Sequence, residues 1–292
     1  MTKWRSLFRS LSPQREVALF NSQVGCCVGA SGACGPEYAA ALPDWCYSTS
    51  TTTFQPADGD DEWDVIIQRH RSIQGRGHLA KPSTWLDPGY LTLDVGANYY
   101  NGSGLPMKLD QNRAIMSLWV VVSAPLVASV SFSGRICPGG SLGEQCIPSR
   151  PVPRPILDIL TNPAAIAINQ EFDEDGHWHA GDIVPSASFA VNSQVTLWAK
   201  PLPRGGVGFV LFRDHCDGCT DPPTPLAVVF SLSMLPTFGR GANASCPQSE
   251  GCRLFEVWSS TNQTVSAVQT NLTYTLRQRQ ALLVRVEGLQ YV

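Results

Sequence analysis

The chain has 292 residues, 43% of them hydrophobic and 15% charged, with a formal net charge of −3. This is enough apolar material for one large domain or two ordinary ones, and it excludes a disordered chain. The mildly negative balance and the lack of a basic patch give no hint of a nucleic-acid partner, and none is expected.

Ten cysteines and four Asn-x-Ser/Thr sequons, at Asn101, Asn243, Asn262 and Asn271, together point to an oxidising, secretory compartment. The first residues, MTKWRSLFRSLSPQ, contain no continuous apolar stretch and no small-residue cleavage site, so they do not read as a signal peptide. The expectation is a secreted or lysosomal/vacuolar protein whose leader is not among these residues. The longest apolar run, Ala114–Val130, is interrupted by Pro125 and three serines. It falls short of the roughly 20 apolar residues of a spanning helix. It predicts a buried helix running into a strand, and no membrane segment.

In chain order, Trp4, Leu7, Phe8 and Leu11 mark one face of a short helix that Ser12-Pro13 stops. EVALFNS (16–22) predicts a buried strand. Residues 24–55, with Cys26, Cys27, Cys34 and Cys46, form a long loop of the kind that is usually functional. Next comes PADGDDEW (56–63), a dense acidic run. By itself it reads as a solvated turn or as the charged first turn of a helix. EWDVIIQRHRSI then predicts a helix with Trp63, Ile66, Ile67 and His70 facing inward. STWLDPGYLTLD (83–94) reads as strand and loop, followed by an apolar helix from about Gln111 and a strand near Leu126–Phe132.

Residues 133–155 are dense in Pro and Gly and read as a surface insertion that Cys137 and Cys146 would close. PILDILTNPAAIAINQ (155–170) predicts two short helices, the second started by Asn162-Pro163. From about residue 183 the texture changes. ASFAVNSQVTLWAKPL, GVGFVLFRDH, TPLAVVFSLSML, RLFEVWSS and ALLVRVEGL read as strands, with Pro203–Gly206 supplying a turn. The expected organisation is an α/β part over 1–182 and an antiparallel β-sandwich over 183–292.

Several of these segments, in this order, resemble the α-galactosidases of glycoside hydrolase family twenty-seven. The residues that carry the resemblance are Leu118, Trp119, Ala124, Pro125, Leu126, Leu160, Ile166, Ala167, Ile168, Asn169 and Gln170. The resemblance implies the C-terminal half of a (β/α)₈ TIM barrel followed by the β domain, and retaining hydrolysis of a terminal α-linked galactose. The partner would be an α-galactoside oligosaccharide or glycoconjugate, with no cofactor and no metal. Such chemistry needs two carboxylates about 5–5.5 Å apart, at the C-terminal ends of barrel strands.

Residues 58–63, DGDDEW, resemble the family's Asp-Ile-Asp-Asp-x-Trp stretch, which makes Asp58 the inferred general acid/base; Asp60, Asp61 and Glu62 would cap the helix. WLDPGYL resembles the sugar-lining Trp-Asn-Asp-Pro-Asp-Met-Leu motif through Trp85, Asp87, Pro88 and Leu91, while Leu86, Gly89 and Tyr90 depart from it. Gln23 stands where the family has a glutamate near the sugar, and Phe54 where it has an arginine. The family's nucleophile lies in a Lys-x-Asp motif on the strand before the one matching residues 16–22, and the fifteen residues ahead of that strand contain no such motif. A truncated enzyme and a non-catalytic carbohydrate-binding remnant are both consistent with that pattern.

Two weaker readings remain. His215 with Cys216 and Cys219, His177 with His179, and the pair Cys246 and Cys252 could ligate zinc, but local disulfides fit a secretory chain better. FDEDGHWH (172–179) lacks the regular acidic spacing of a calcium loop and reads as a polar linker.

Overall fold

The computed structural model describes residues 62–71, 73–80, 86, 88, 91, 93, 107–128, 135–136, 147–148, 152–172, 180–184, 195–214, 225–267 and 271–291. Helix α1 spans Glu62–Arg71. Its buried positions are Trp63, Ile66, Ile67 and His70, the i, i+3, i+4, i+7 face expected from the sequence.

Helix α2, Leu109–Val121, begins two residues earlier than the sequence suggests. The carboxamide of Gln111 accepts from the Lys108 backbone N–H at 2.7 Å, which fixes that start. Every residue from Ala114 to Val121 is buried, so α2 is a core helix covered on all sides. Its polar side chains are satisfied locally. Asn112 donates to the carbonyls of Met107 and Lys108, and the Ser117 hydroxyl donates to the Arg113 carbonyl at 2.7 Å. Trp258, from the β domain, donates its indole N–H to the Ser117 oxygen at 2.9 Å.

The C-terminus of α2 is a Schellman motif. The Ala124 N–H bonds to the Trp119 carbonyl at 3.0 Å and the Ser123 N–H to the Val120 carbonyl at 3.1 Å. Ser123 therefore sits at φ 54°, where glycine is favoured, and its buried hydroxyl finds no hydrogen-bond partner among the described residues. Ser123→Gly is expected to stabilise the protein by about 1 kcal/mol, after allowing for the extra freedom of glycine in the unfolded chain. A urea melt with an unchanged or lower midpoint would contradict this.

After the motif, Leu91 and Ala128 form a parallel bridge, with the Leu91 N–H donating to the Val127 carbonyl at 3.0 Å. Parallel pairing needs a crossover, and α2 lies in it. Two-residue strands β1 (Arg135–Ile136) and β2 (Ile147–Pro148) pair antiparallel within the expected insertion; Cys137 and Cys146, expected to close it, lie outside the described residues. Helices α3 (Arg154–Leu160) and α4 (Pro163–Gln170) follow the predicted division. The Asn162 side chain accepts from the N–H groups of Ala164 and Ala165, both at 3.0 Å, and Pro163 occupies the first turn.

The β region starts at β3 (Asp182–Ile183) and continues through β4 (Val195–Pro201), β5 (Val207–Arg213), β6 (Leu226–Ser231), β7 (Ala244–Ser245) and β8 (Cys252–Glu256). It is completed by β9 (Thr261–Val265), β10 (Asn271–Leu276), β11 (Gln280–Glu287) and β12 (Gln290–Tyr291). One antiparallel sheet has the order β3-β4-β5-β11-β8-β9; β6 pairs with β10, and β7 with β12. Strands β9 and β10 were not among those expected from the sequence. Cys246 and Cys252 are joined in a disulfide across the turn that leads into β8.

Both faces of the large sheet are apolar. Trp198, Val210, Phe212, Ala281 and Leu283 pack with the buried side of the helices. Phe209, Leu211, Val284 and Val286 pack instead with Phe230, Val228 and Leu272 of the β6/β10 pair, and the Phe209 and Phe230 rings stack at 4.6 Å. The change of texture near residue 183 is therefore not a gap in packing. Backbone contact ties the two regions as well: the Gly181 N–H bonds to the Val121 carbonyl at 2.9 Å, and a Cβ at Gly181 would lie 2.1 Å from that oxygen. Only glycine permits this approach.

Candidate active site

Four residues carried the sequence-based site: Gln23, Asp58, Trp85 and Asp87. All lie outside the described residues. What the structure describes are the elements that adjoin some of them in sequence. Glu62 is the first residue of α1, so the acidic run leads directly into a helix, as expected. The next residue, Trp63, is fully buried. Its indole N–H donates to Asp214 Oδ1 at 3.4 Å, and its ring lies 6.0 Å from Phe212 at the end of β5. Arg71, at the other end of α1, pairs with the same Asp214 carboxylate. The Arg279 guanidinium sits 5.6 Å above the Trp63 ring. Contacts near both of its ends thus anchor α1 against the end of β5.

The turn after α1 is fixed by a carboxylate too. Asp182 accepts from the backbone N–H groups of Gly75 and Gly77, both at 2.8 Å, and from Ile183 at 2.7 Å. Neither Asp214 nor Asp182 was singled out from the sequence, because each acts through partners more than a hundred residues away.

In WLDPGYL, Leu86 and Pro88 are buried, Leu86 with only 1% of its surface exposed. Leu86 is thus a packing residue of the core that also contains Leu91, Leu93 and α2. The apolar leucine at this position suits that burial. The sequence has a Lys-x-Asp at Lys108–Asp110, but it opens α2 at the surface, where Asp110 lies 3.7 Å from Arg113. It is not a strand-borne nucleophile.

Two buried titratable groups serve the scaffold. The His70 Nε2 lies 3.0 Å from the Leu118 carbonyl, and the ring meets Trp198 edge-on at 4.3 Å. Burial holds its pKa down to about 3, so the ring is neutral and donates Nε2–H. Lys200 is completely buried and donates to the Ile168 and Asn169 carbonyls, at 2.6 and 2.8 Å, at the C-terminus of α4. It also lies 4.6 Å over the Phe172 ring. Burial lowers its pKa to about 7, against the opposing pull of Glu171. A charge inside VTLWAKP was the available sequence signal for this cap.

A cavity of about 220 Å³ opens between the two sheets, lined by Glu256, Thr261, Gln263 and Tyr274 over Leu254 and Leu282. Burial, followed by the Glu256 carboxylate, raises the Tyr274 phenol to about 12. Among the described residues no group of three His, Cys, Asp or Glu could hold a metal ion. Cys246 and Cys252 are consumed by their disulfide, so they leave the zinc reading; the His215–Cys219 and His177–His179 clusters lie outside the described residues.

Neither a protein-family model nor a curated protein matches the chain. Solved structures do. A candidate α-N-acetylgalactosaminidase from Bacillus halodurans aligns at a TM-score of 0.52 and 18% identity, over 81% of this chain and 47% of that one. A family-27 β-L-arabinopyranosidase from Geobacillus stearothermophilus aligns at a TM-score of 0.51 and 15% identity, over 77% and 42%. An α-galactosidase from Saccharomyces cerevisiae, solved with raffinose, aligns at a TM-score of 0.51 and 13% identity, over 76% and 51%. The fold therefore resembles that of family-27 glycosidases, as expected from the sequence, and the chain spans about half or less of their length.

Proposed function

We propose that this chain is part of a retaining glycoside hydrolase that removes terminal α-linked galactose or a sugar of closely related shape. Residues 1–182 would form the C-terminal half of a (β/α)₈ barrel and residues 183–292 a β-sandwich domain. Asp58 is the general acid/base, and Trp85, Asp87 and Gln23 line the sugar. The protein would be secreted or lysosomal/vacuolar. The carrying observation is one of order: an acidic run entering α1, a parallel bridge spanning α2 and the large antiparallel sheet succeed one another along a chain with a glycosidase-like fold. A barrel needs about 250 residues to close. Turnover thus belongs to the whole protein.

The test, on the whole protein of which this chain is part, is hydrolysis of three nitrophenyl glycosides, an α-galactoside, an α-N-acetylgalactosaminide and a β-L-arabinopyranoside, with the first-formed anomer read by proton NMR. Retention on at least one is expected of the proposed double displacement, which needs two carboxylates about 5–5.5 Å apart. Inversion would refute the mechanism. Saturable binding without turnover would refute the enzyme and support the carbohydrate-binding remnant.

A further inference from the structure

Strand β9 ends the six-stranded sheet, paired on one side with β8. Strand β10 pairs with β6 and, among the described residues, with no strand on its other side. Such edges expose unpaired N–H and C=O groups and invite pairing with another chain; proteins blunt them with charge, proline, bulges or short length. The opposite end of the large sheet is blunted in this way, because β3 has only two residues and one is Asp182.

Neither β9 nor β10 uses any of these devices. TNQTV and NLTYTL contain no charged residue and no proline. The charges lie on the interior strands instead: Arg253 and Glu256 on β8, Arg285 and Glu287 on β11. Uncharged extended segments rich in Asn, Gln and Thr are the kind that stack with copies of themselves. What both strands do carry is a sequon, Asn262-Gln263-Thr264 in β9 and Asn271-Leu272-Thr273 in β10. Asn262, Thr264, Asn271 and Thr273 are all exposed.

We propose that Asn262 and Asn271 bear N-linked glycans that cover these two edges. In the transfer, the Asn carboxamide nitrogen attacks the anomeric carbon of a polyprenyl-pyrophosphate-linked oligosaccharide. The N–C bond forms, the C–O bond to pyrophosphate breaks, polyprenyl pyrophosphate leaves, and the amide proton passes to a base of the transferase. The folded protein must then leave room for each glycan, and at both positions it does. The Cys246–Cys252 disulfide, six residues in span and close to β9 in sequence, fits the compartment in which this transfer takes place. The proposal does not rest on the glycosidase reading.

The experiment expresses the full chain through a eukaryotic secretory pathway, releases glycans with a peptide N-glycosidase in ¹⁸O-water, and maps ¹⁸O-labelled Asp by peptide mass spectrometry. Label at positions 262 and 271 is expected; its absence at either overturns the proposal there. Two double variants separate glycan from side chain. T264A/T273A destroys both sequons, whereas T264S/T273S keeps them. By analytical ultracentrifugation the alanine pair is expected to self-associate and the serine pair to sediment as the parent does. An alanine pair that stays monomeric by its sedimentation-equilibrium mass would overturn the edge-covering role.

Discussion

In the whole protein, Asp58→Asn is expected to slow hydrolysis of a galactoside with an alkyl or sugar leaving group by about 10²–10⁴-fold, the usual weight of a positioned proton donor. Asparagine keeps the shape of aspartate but has no proton to give, so the leaving oxygen must depart as an alkoxide. A dinitrophenolate needs no such help. With an aryl galactoside of that kind the first step should change little, and the loss should move to the second step, where the same carboxylate deprotonates water. The glycosyl-enzyme then accumulates, giving a burst of phenolate followed by slow turnover. Azide, which attacks without a base, should restore the steady rate. These readouts separate chemistry from architecture. If Asp58 only helped to seat α1, both substrates would slow alike and azide would restore nothing. The anchoring of α1 by Trp63, Arg71 and Asp214 makes gross displacement of that helix by the substitution unexpected. Equal turnover by parent and variant on both substrates would remove Asp58 from the mechanism.

Much of the scaffold was legible because it rests on local rules. Helix α1 shows its inward face at Trp63, Ile66, Ile67 and His70, and α4 announces its start through Asn162-Pro163. Strands β4, β5 and β11 are apolar enough to read directly, since both of their faces are covered. Strand β9 was not legible: four of its five residues are exposed, so it has no apolar pattern and exists through its ladder with β8. Strand β10 does alternate, with Leu272 and Leu276 inward and Thr273 and Thr275 outward, but short Thr-rich alternation is easily passed over beside sequons. The shared core between α2 and the β sheet could not be read at all. It depends on Trp198, Val210 and Phe212 meeting a helix some eighty residues earlier, and no local pattern encodes which face meets which. For the same reason nothing local marks Asp182 and Asp214 as anchoring carboxylates, since their partners lie more than a hundred residues away. The candidate site residues entered only through the ordered motifs of a resemblance, because composition alone makes the run at 56–63 a solvated turn.

The same buried core makes a second large effect expected, with pH. His70 has Trp119, Trp198 and the Leu118 carbonyl about its ring, and no carboxylate pairs with it among the described residues. Burial holds its pKa at about 3, against 6.5 for an ordinary histidine. Below pH 6.5 the unfolded chain therefore takes up a proton that the native state refuses. The unfolded state binds more protons, so stability falls as pH drops, and continues to fall until the native pKa is reached. The loss from this residue is about 2 kcal/mol by pH 5 and about 3 kcal/mol by pH 4. At pH 5 it depends little on the native value, provided that value lies below 5. His70→Gln keeps an N–H donor for Leu118 but cannot titrate. Urea unfolding of both proteins from pH 7 to 4 should show the parent losing about 3 kcal/mol more than the variant, whatever the variant's stability at pH 7, since the carboxylates contribute to both curves alike. Parallel curves would mean that His70 takes up its proton without unfolding, and that the Leu118 contact is not the constraint it forms here. A steeper parent curve would bear directly on residence. In an acidic lysosome or vacuole the protein would carry a cost of about 2 kcal/mol that a neutral extracellular medium does not impose.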